Sequence, residues 1–330
     1  MMKKAVFGLI AAMMIAAAGC GGQTPVAYTE LAARLGTLKG DAGSTAGKPY
    51  TVKIVPVNIA AVWGDINDAV NTAGKYVILD LSACSASGNE IVGNENYNED
   101  PSGNDFNIIK DNEYLTGIIL PDSLTAIGEY AFYRCKYLTN ITIGSGVTGV
   151  NFTYLSGCTN LSAITVKPAN SAFSSVDGVL FNKDKTTLIR YPQGKGSVYS
   201  IPNSVTEIGA YAFFGSQLTS VTIPNSVTEI GVWAFGGNQL TSVTIPDSVT
   251  TIEHMAFSSN QLTSVTIPNS VTEIGLGAFY YNPLTSVTIP ASRDIGRDAF
   301  PGNFVTVYIQ EGSRAGTYVS GDGGKTWRRQ

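Results

Sequence analysis

Four copies of the heptapeptide LTSVTIP begin at Leu218, Leu240, Leu262 and Leu284, each 22 residues after the last. A fixed period of that length narrows the fold more than any other feature, because a 22-residue unit is too short to close a core of its own. Its apolar residues are buried only when the next copy stacks on them. The full unit reads LTSVTIPNSVTEIGxxAFxxNQ, with longer, 23-residue versions opening at Leu115 and Leu138. A 35-residue unit spans 161–195, the common pattern returns at Gly196, and the last copy carries the shorter tail ASRDIGRDAFPGN. The array therefore covers 115–303 with about eight repeats.

Every position in the unit has a physical reason. Leu218, Val221 and Ile223 point to one side of an extended segment and Ser220 and Thr222 to the other, which is a strand with one buried face. Pro224 ends it, since proline cannot donate to a ladder, and Asn225-Ser226 favours a turn. The chain then re-enters the core through Val227 and Ile230, bends at Gly231, and fills the interior with Ala234 and Phe235. Glu253 and Asn151 stand where other copies have glycine, so the bend accepts other residues. In the longest unit, VLFN and TLIRYP pair as a hairpin across the Lys183-Asp184-Lys185 turn, within the insertion from Asp177 to Pro192.

The flanks differ in kind. Lys3 and Lys4 precede an apolar run from Ala5 to Ala18 that is too short for a permanent membrane span, and Gly19-Cys20 follow. The segment Ala17-Ala18-Gly19-Cys20 resembles the lipobox of bacterial lipoproteins, with Ala17 where leucine is usual. The resemblance implies a leader over 1–19, cleavage before Cys20, lipidation of that sulfur and a tether over 20–25. Acyl chains on Cys20 would hold the protein to the cell envelope, on the outer membrane or cell surface, each buried methylene adding about 0.8 kcal/mol. Residues 26–114 carry no repeat. There Tyr50 to Ala61 alternates as a strand, Trp63 to Ala73 suits a short helix, and Tyr76 to Ser82 is a second strand. Leu79 and Leu81 would start the stacked sheet, with the helix over the open end of the core. The polar run from Gly88 to Asp105 lacks the ligand spacing of a calcium loop and reads as a solvated loop. Beyond the array, 304–330 forms a second cap: a last half-strand from Val305 to Gly312, then a hairpin about Asp322-Gly323 with Tyr318 and Trp327 over the core.

The unit is similar to that of the BspA-like family of bacterial surface leucine-rich repeats, approximately LxxIxIPxxVxxIGxxAFxxC, over Leu115 to Asn303. The family implies a curved, right-handed, mostly β solenoid with short helical or 3-10 turns, displayed outside the cell. Its members act as adhesins toward host matrix and plasma proteins or toward other bacteria. It implies no catalytic residue and no cofactor.

The residues themselves favour a binding protein over an enzyme. The formal net charge is −4 and the Lys and Arg clusters are no longer than Arg328-Arg329, so no face is built for nucleic acid. His254, the only histidine, occupies a variable site shared with Ala210, Val232 and Leu276. Glu207, Glu229 and Glu273 recur in register, but identical repeats give them equal environments, whereas paired acid–base catalysis needs unequal ones. Cys135 and Cys158 sit where later repeats carry Ser216, Asn238, Asn260, Asn282 and Asn303. They read as ladder residues satisfying turn backbone from inside the stack, with a disulfide between stacked turns left open by the geometry. Cys84 has no evident partner in the sequence, and no Cys/His set suggests a metal.

Two candidate surfaces follow. One is the pair of hydroxyl rows Ser220, Ser242, Ser264, Ser286 and Thr222, Thr244, Thr266, Thr288 on the outward face of the strands. The other surrounds the Ala-Phe motif, where the copies differ: Tyr130, Tyr211, Trp233, Met255 and Gly277 share one column, and Tyr133, Phe214 and Tyr280 another. The expected function is a lipid-anchored surface protein that binds host extracellular matrix or plasma proteins such as fibronectin or fibrinogen. Glycan binding, or a structural or ice-binding solenoid using the Ser/Thr rows, is the competing expectation.

Overall fold

The computed structural model describes residues 15–17, 49–54, 63–82, 84, 90–91, 111–128, 131–151 and 155–330. Cys20, the tether, most of the polar run from Gly88 to Asp105, and Tyr130 lie outside the described residues. The chain forms two compact units, Met1–Thr159 with Lys167–Ser171, and Asn160–Val166 with Ala172–Gln330.

In the first unit, parallel strands Tyr50–Ile54, Val77–Asp80, Leu115–Ile119 and Asn140–Ile143 stack in order, with Leu79 opposite Ile118 and Ile118 opposite Ile141. Ile15–Ala17, a segment that cleavage before Cys20 would remove, lies antiparallel to Tyr50–Ile54. The helix Trp63–Ala73 buries Ile66, Ala69 and Val70, a spacing of three and four that makes one apolar face. Its Asn67 accepts a 2.7 Å bond from the Asn112 side chain, and the Asn112 oxygen in turn caps the amides of Tyr114 and Leu115. A second ladder joins Glu90–Ile91, Ala126–Ile127 and Gly149–Val150.

After the strand Ala163–Val166, the second unit has three antiparallel strands rather than the expected two. Phe173–Val176 pairs with Val179–Asn182 across Asp177 and Gly178, both at positive φ, as a tight primed turn requires. Val179–Asn182 then pairs with Thr187–Arg190 as the sequence predicts, and the Asn182 oxygen accepts from the amides of Thr186 and Thr187 across the turn. Thr187–Arg190 continues in parallel with Glu207–Ile208, so the insertion seeds the ladder of the regular repeats.

Each regular turn is three-sided. The Thr-Glu-Ile side forms an unbroken parallel ladder from Glu207 through Glu229, Thr251 and Glu273 to Asp294. The Ala-Phe side is a second ladder of a different kind, in which alternate amides bond forward and backward. Tyr211, Phe213 and Gly215 donate to Val232, Ala234 and Gly236 of the next repeat, while Ala212, Phe214 and Ser216 donate three residues back in their own turn. Every amide along that stretch is thereby satisfied. LTSVTIP supplies the third side.

Inside, Phe213, Phe235, Phe257, Phe279 and Phe300 stack nearly parallel at centroid spacings of 4.9–5.3 Å. Asn238, Asn260 and Asn282 fix the turn above them. Asn260 Nδ2 donates to the carbonyls of Phe235, Phe257 and Ser258 at 2.8, 3.1 and 3.2 Å, while its Oδ1 accepts the Leu240 amide at 3.1 Å. In the first unit Cys135 and Cys158 are buried thiols at the equivalent sequence position, and the Cys158 sulfur lies 3.0 Å from the Phe132 carbonyl, donating as the asparagine amide does. Burial drives the Cys135 thiol well above the ordinary cysteine range.

The C-terminal segment departs from expectation. Phe304–Gln310 is a helix, not a half-strand. Its β-branched residues favour a strand, but the four-residue spacing of Phe304 and Tyr308 lets both side chains bury on one helical face. The Phe304 ring lies 4.5 Å from Phe300, and Tyr308 donates to the Pro290 carbonyl at 2.9 Å. Tertiary packing overrides propensity here. Gly316–Val319 pairs antiparallel with Ser286–Ile289 and with Arg328–Arg329, and places the buried Tyr318 and Trp327 rings against Phe304. Asp322 organises the turn between them. One of its oxygens accepts from Ser320 and the amides of Lys325 and Thr326, and the other from the Thr326 hydroxyl.

Removing the Asn260 amide leaves the Leu240 amide without its acceptor and takes one of two donors from the carbonyls of Phe235, Phe257 and Ser258, which keep Asn238 Nδ2, Asn282 Nδ2 and the Gly237 amide. Asn260→Ala should therefore cost about 1–3 kcal/mol in urea denaturation. Asn260→Cys, which keeps one donor, should cost about half as much; equal losses would show that the thiol does not substitute. The Asp322 carboxyl is held far below the usual carboxylate range, first by the Thr326 hydroxyl and then by Ser320. A lowered folded pKa stabilises above the unfolded value near 3.9 and is lost as pH falls below it. Hydrogen exchange at the Lys325 and Thr326 amides should therefore accelerate, after correction for intrinsic rates, as pH drops below about 4, and Asp322→Ala should show the acceleration already at neutral pH.

Candidate functional site

The three sides of the regular turns present three different chemistries. On the LTSVTIP side, Ser220, Thr222, Ser242, Thr244, Ser264 and Thr266 are exposed, and Ser286 and Thr288 are half-buried beside Gly316–Val319. The hydroxyl rows expected to run unbroken are divided. Ser220–Thr222 pairs with Val198–Ser200, and Ser264–Thr266 with Ser286–Ile289, but 242–244 joins no ladder among the described residues. The backbone ladder beneath the hydroxyl rows is therefore interrupted between 220 and 288. The turns stay joined beside the gap, where the Gln239 and Gln261 amides donate to the Leu218 and Leu240 carbonyls.

The Thr-Glu-Ile side is acidic. Glu207 lies in register with Glu229, and Glu273 with Asp294. The Glu229 carboxyl is raised above its ordinary value, first by partial burial and then by the charges of Glu207 and Glu253. Glu253 occupies the corner where other turns have glycine, so it carries the negative row toward the Ala-Phe side. From Gly196 to Ser292 the chain has five carboxylates, Glu207, Glu229, Asp247, Glu253 and Glu273, and no Lys or Arg. Among the described residues none of the five stands in an ion pair.

The Ala-Phe side is aromatic and nearly uncharged. Tyr211 at φ 57°, Trp233 at 54° and Met255 at 55° all adopt the left-handed conformation, which costs non-glycine residues about 1–3 kcal/mol each. The reason is the alternating ladder: the left-handed residue turns its amide toward the next repeat. Gly277 at φ 62° shows that glycine meets the same need, so the bulky side chains at the other turns are not required by the backbone. Their rings pack across repeats. Phe214 meets Tyr211 and Trp233 edge-on at 5.7 and 5.6 Å, and the Trp233 indole lies over Gly236, where a Cβ would come within 2.4 Å of it. All three rings remain half-exposed, and Val232, Leu276 and the exposed His254 line the neighbouring column. Two repeats on, Tyr280 and Tyr281 lie 4.2 Å apart, with Tyr281 itself left-handed and 68% exposed.

The structure thus brings Tyr211 and Trp233 together with Phe214 and sets Tyr280 in a second pair. Two features of this surface lie outside the residues that the repeat pattern singles out, Tyr281 and the cation-free stretch. The first was hidden because its column holds Gly215, Gly237 and Ser259 elsewhere; the second was visible in the spacing of Lys195 and Arg293. Among the described residues, no group of three or more His, Cys, Asp or Glu side chains could hold a metal ion, and no helix is long and apolar enough to cross a membrane.

The profile of the BspA type Leucine rich repeat region matches residues 107–195 and 193–305, in six copies. The chain belongs to the BspA-type leucine-rich repeat family. Solved structures similar to it include a leucine rich cell surface protein from Faecalibacterium prausnitzii, 33% identical with TM-score 0.48, over 55% of this chain and 49% of that one. The pneumococcal vaccine antigen PcpA is 25% identical with TM-score 0.46, over 69% of this chain and 68% of that one. A leucine-rich repeat protein from Bacteroides ovatus is 24% identical with TM-score 0.36, over 56% and 52%. The chain spans about half the length of the first of these, and no curated protein matches it. In BspA-type terms, the repeat consensus accounts for the Phe stack, the asparagine ladder and the Thr-Glu-Ile strands. The residues around Ala-Phe fall outside it.

Proposed function

We propose that this protein is a binding scaffold displayed on a bacterial cell envelope through lipidated Cys20, and that it engages host matrix or plasma proteins through its Ala-Phe side. The observation that carries the proposal is the left-handed column: Tyr211, Trp233 and Met255 keep large side chains at a conformation for which glycine is the unstrained choice. Side chains held there do not fill the interior, which belongs to Phe213, Phe235 and Phe257. Half-exposed aromatics on a rigid support resemble the anchors on which protein interfaces concentrate their energy. The divided hydroxyl rows give no comparable support to a lattice that orders water, and glycan binding has no observation of its own.

The soluble fragment Gly21 to Gln330 should bind at least one of fibronectin and fibrinogen saturably in a solid-phase assay. Tyr211→Ala with Trp233→Ala should weaken that binding roughly thirtyfold, as expected for anchors worth about 2 kcal/mol. Failure to bind any matrix or plasma protein would remove the proposal. For the anchor, Cys20→Ala should abolish metabolic labelling with palmitate and release the protein from the membrane fraction; labelling that persists would place the lipid elsewhere or nowhere.

A further inference from the structure

The Ala-Phe side and the carboxylates beside it form one composite surface. Tyr211, Phe214, Trp233 and Met255 supply an apolar strip across three successive turns, bordered around the Gly231 corner by the row Glu207, Glu229 and Glu273. Glu253 joins the two, next to His254 and Met255 in sequence and close enough to Glu229 to raise its carboxyl. No Lys or Arg occurs from Gly196 to Ser292, and the buried Arg190 of the preceding turn is directed at the Tyr211 carbonyl. None of these carboxylates stands in an ion pair among the described residues, so neighbouring glutamates repel along the ladder. The apolar strip itself carries no carboxylate, Lys or Arg, and the exposed His254 stands beside it.

We infer that this surface docks a protein segment that combines apolar side chains with lysine or arginine. The inference rests on the reading of the protein as a binding scaffold and names the chemistry of its partner. A cation placed beside Glu229 and Glu253 relieves their repulsion, while an apolar group seats against Trp233 and Phe214 and is removed from water. A segment with acidic flanks meets like charge along the whole border. A basic segment without apolar groups has only the exposed carboxylates to hold it, and these are screened by salt.

The test uses the whole chain and three short synthetic peptides of equal length, built from Lys and Leu, from Lys and Ser, and from Glu and Leu. Fluorescence anisotropy should show the Lys/Leu peptide binding at least about tenfold more tightly than either of the others. The triple variant Glu229→Gln, Glu253→Gln, Glu273→Gln should lose about tenfold for Lys/Leu, and so should raising salt from about 0.05 to 0.5 M. Trp233→Ala should lose a similar factor, with circular dichroism confirming its fold. The glutamine variant alters only surface groups and keeps the test decisive if Trp233→Ala unfolds. Equal binding of Lys/Leu and Glu/Leu, equal binding of Lys/Leu and Lys/Ser, or an unchanged triple variant each overturns the inference. If Lys/Leu binds as described while no matrix or plasma protein does, the surface stands and the host target falls. If a matrix protein binds and the variants leave it unaffected, the surface falls and the scaffold stands.

Discussion

Each buried asparagine of the array joins two neighbouring turns by spending all of its hydrogen-bonding capacity on backbone. Asn238, Asn260 and Asn282 donate to the Phe carbonyl of the preceding turn and of their own, and accept the leucine amide that opens the preceding LTSVTIP. A buried polar group of this kind is costly unless fully satisfied, and here satisfaction is available at one spacing between turns only. The phenylalanine stack and the two continuous ladders inherit that spacing. Burial of apolar surface supplies the energy; the amides set the register in which it is released.

Much of this was legible in the sequence because repetition makes position meaningful. Leucine, valine, isoleucine and phenylalanine at fixed offsets identified the interior, and the cysteine-for-asparagine exchange identified the ladder. What escaped was whatever depends on distance across the stack. The strands beneath the hydroxyl rows look continuous when the copies are written one above another, yet the ladder is interrupted at 242–244, and no single repeat records that. The helix Phe304–Gln310 escaped for another reason. Its residues prefer strands, and only the contact of Phe304 with Phe300 and of Tyr308 with Pro290 selects the helix. At the candidate surface, Trp233 and Tyr211 were marked because the copies differ there, while the left-handed backbone beneath them is a property of the amide ladder rather than of residue type.

The three sides divide their roles. The Thr-Glu-Ile ladder holds the turns together and exposes charge as a by-product of alternation: Ile208, Ile230 and Ile274 point inward, so the residues beside them point out. The LTSVTIP side is polar without being charged. The Ala-Phe side satisfies its own amides within and between turns, which leaves its side chains free of any backbone duty.

That independence has an evolutionary reading. A side chain that neither fills the interior nor satisfies the backbone can be exchanged without breaking either, provided it fits its neighbour in the column, as Trp233 fits Phe214 and as Gly277 leaves room for Met255, and subject to the exclusion of β-branched residues at positive φ. Tyr, Trp, Met and Gly already occupy the one column at 211, 233, 255 and 277. A gene built from near-identical copies therefore carries, at one codon per copy, an addressable row of variable groups at fixed intervals. Duplication or loss of a unit would lengthen or shorten the row without redesigning what supports it.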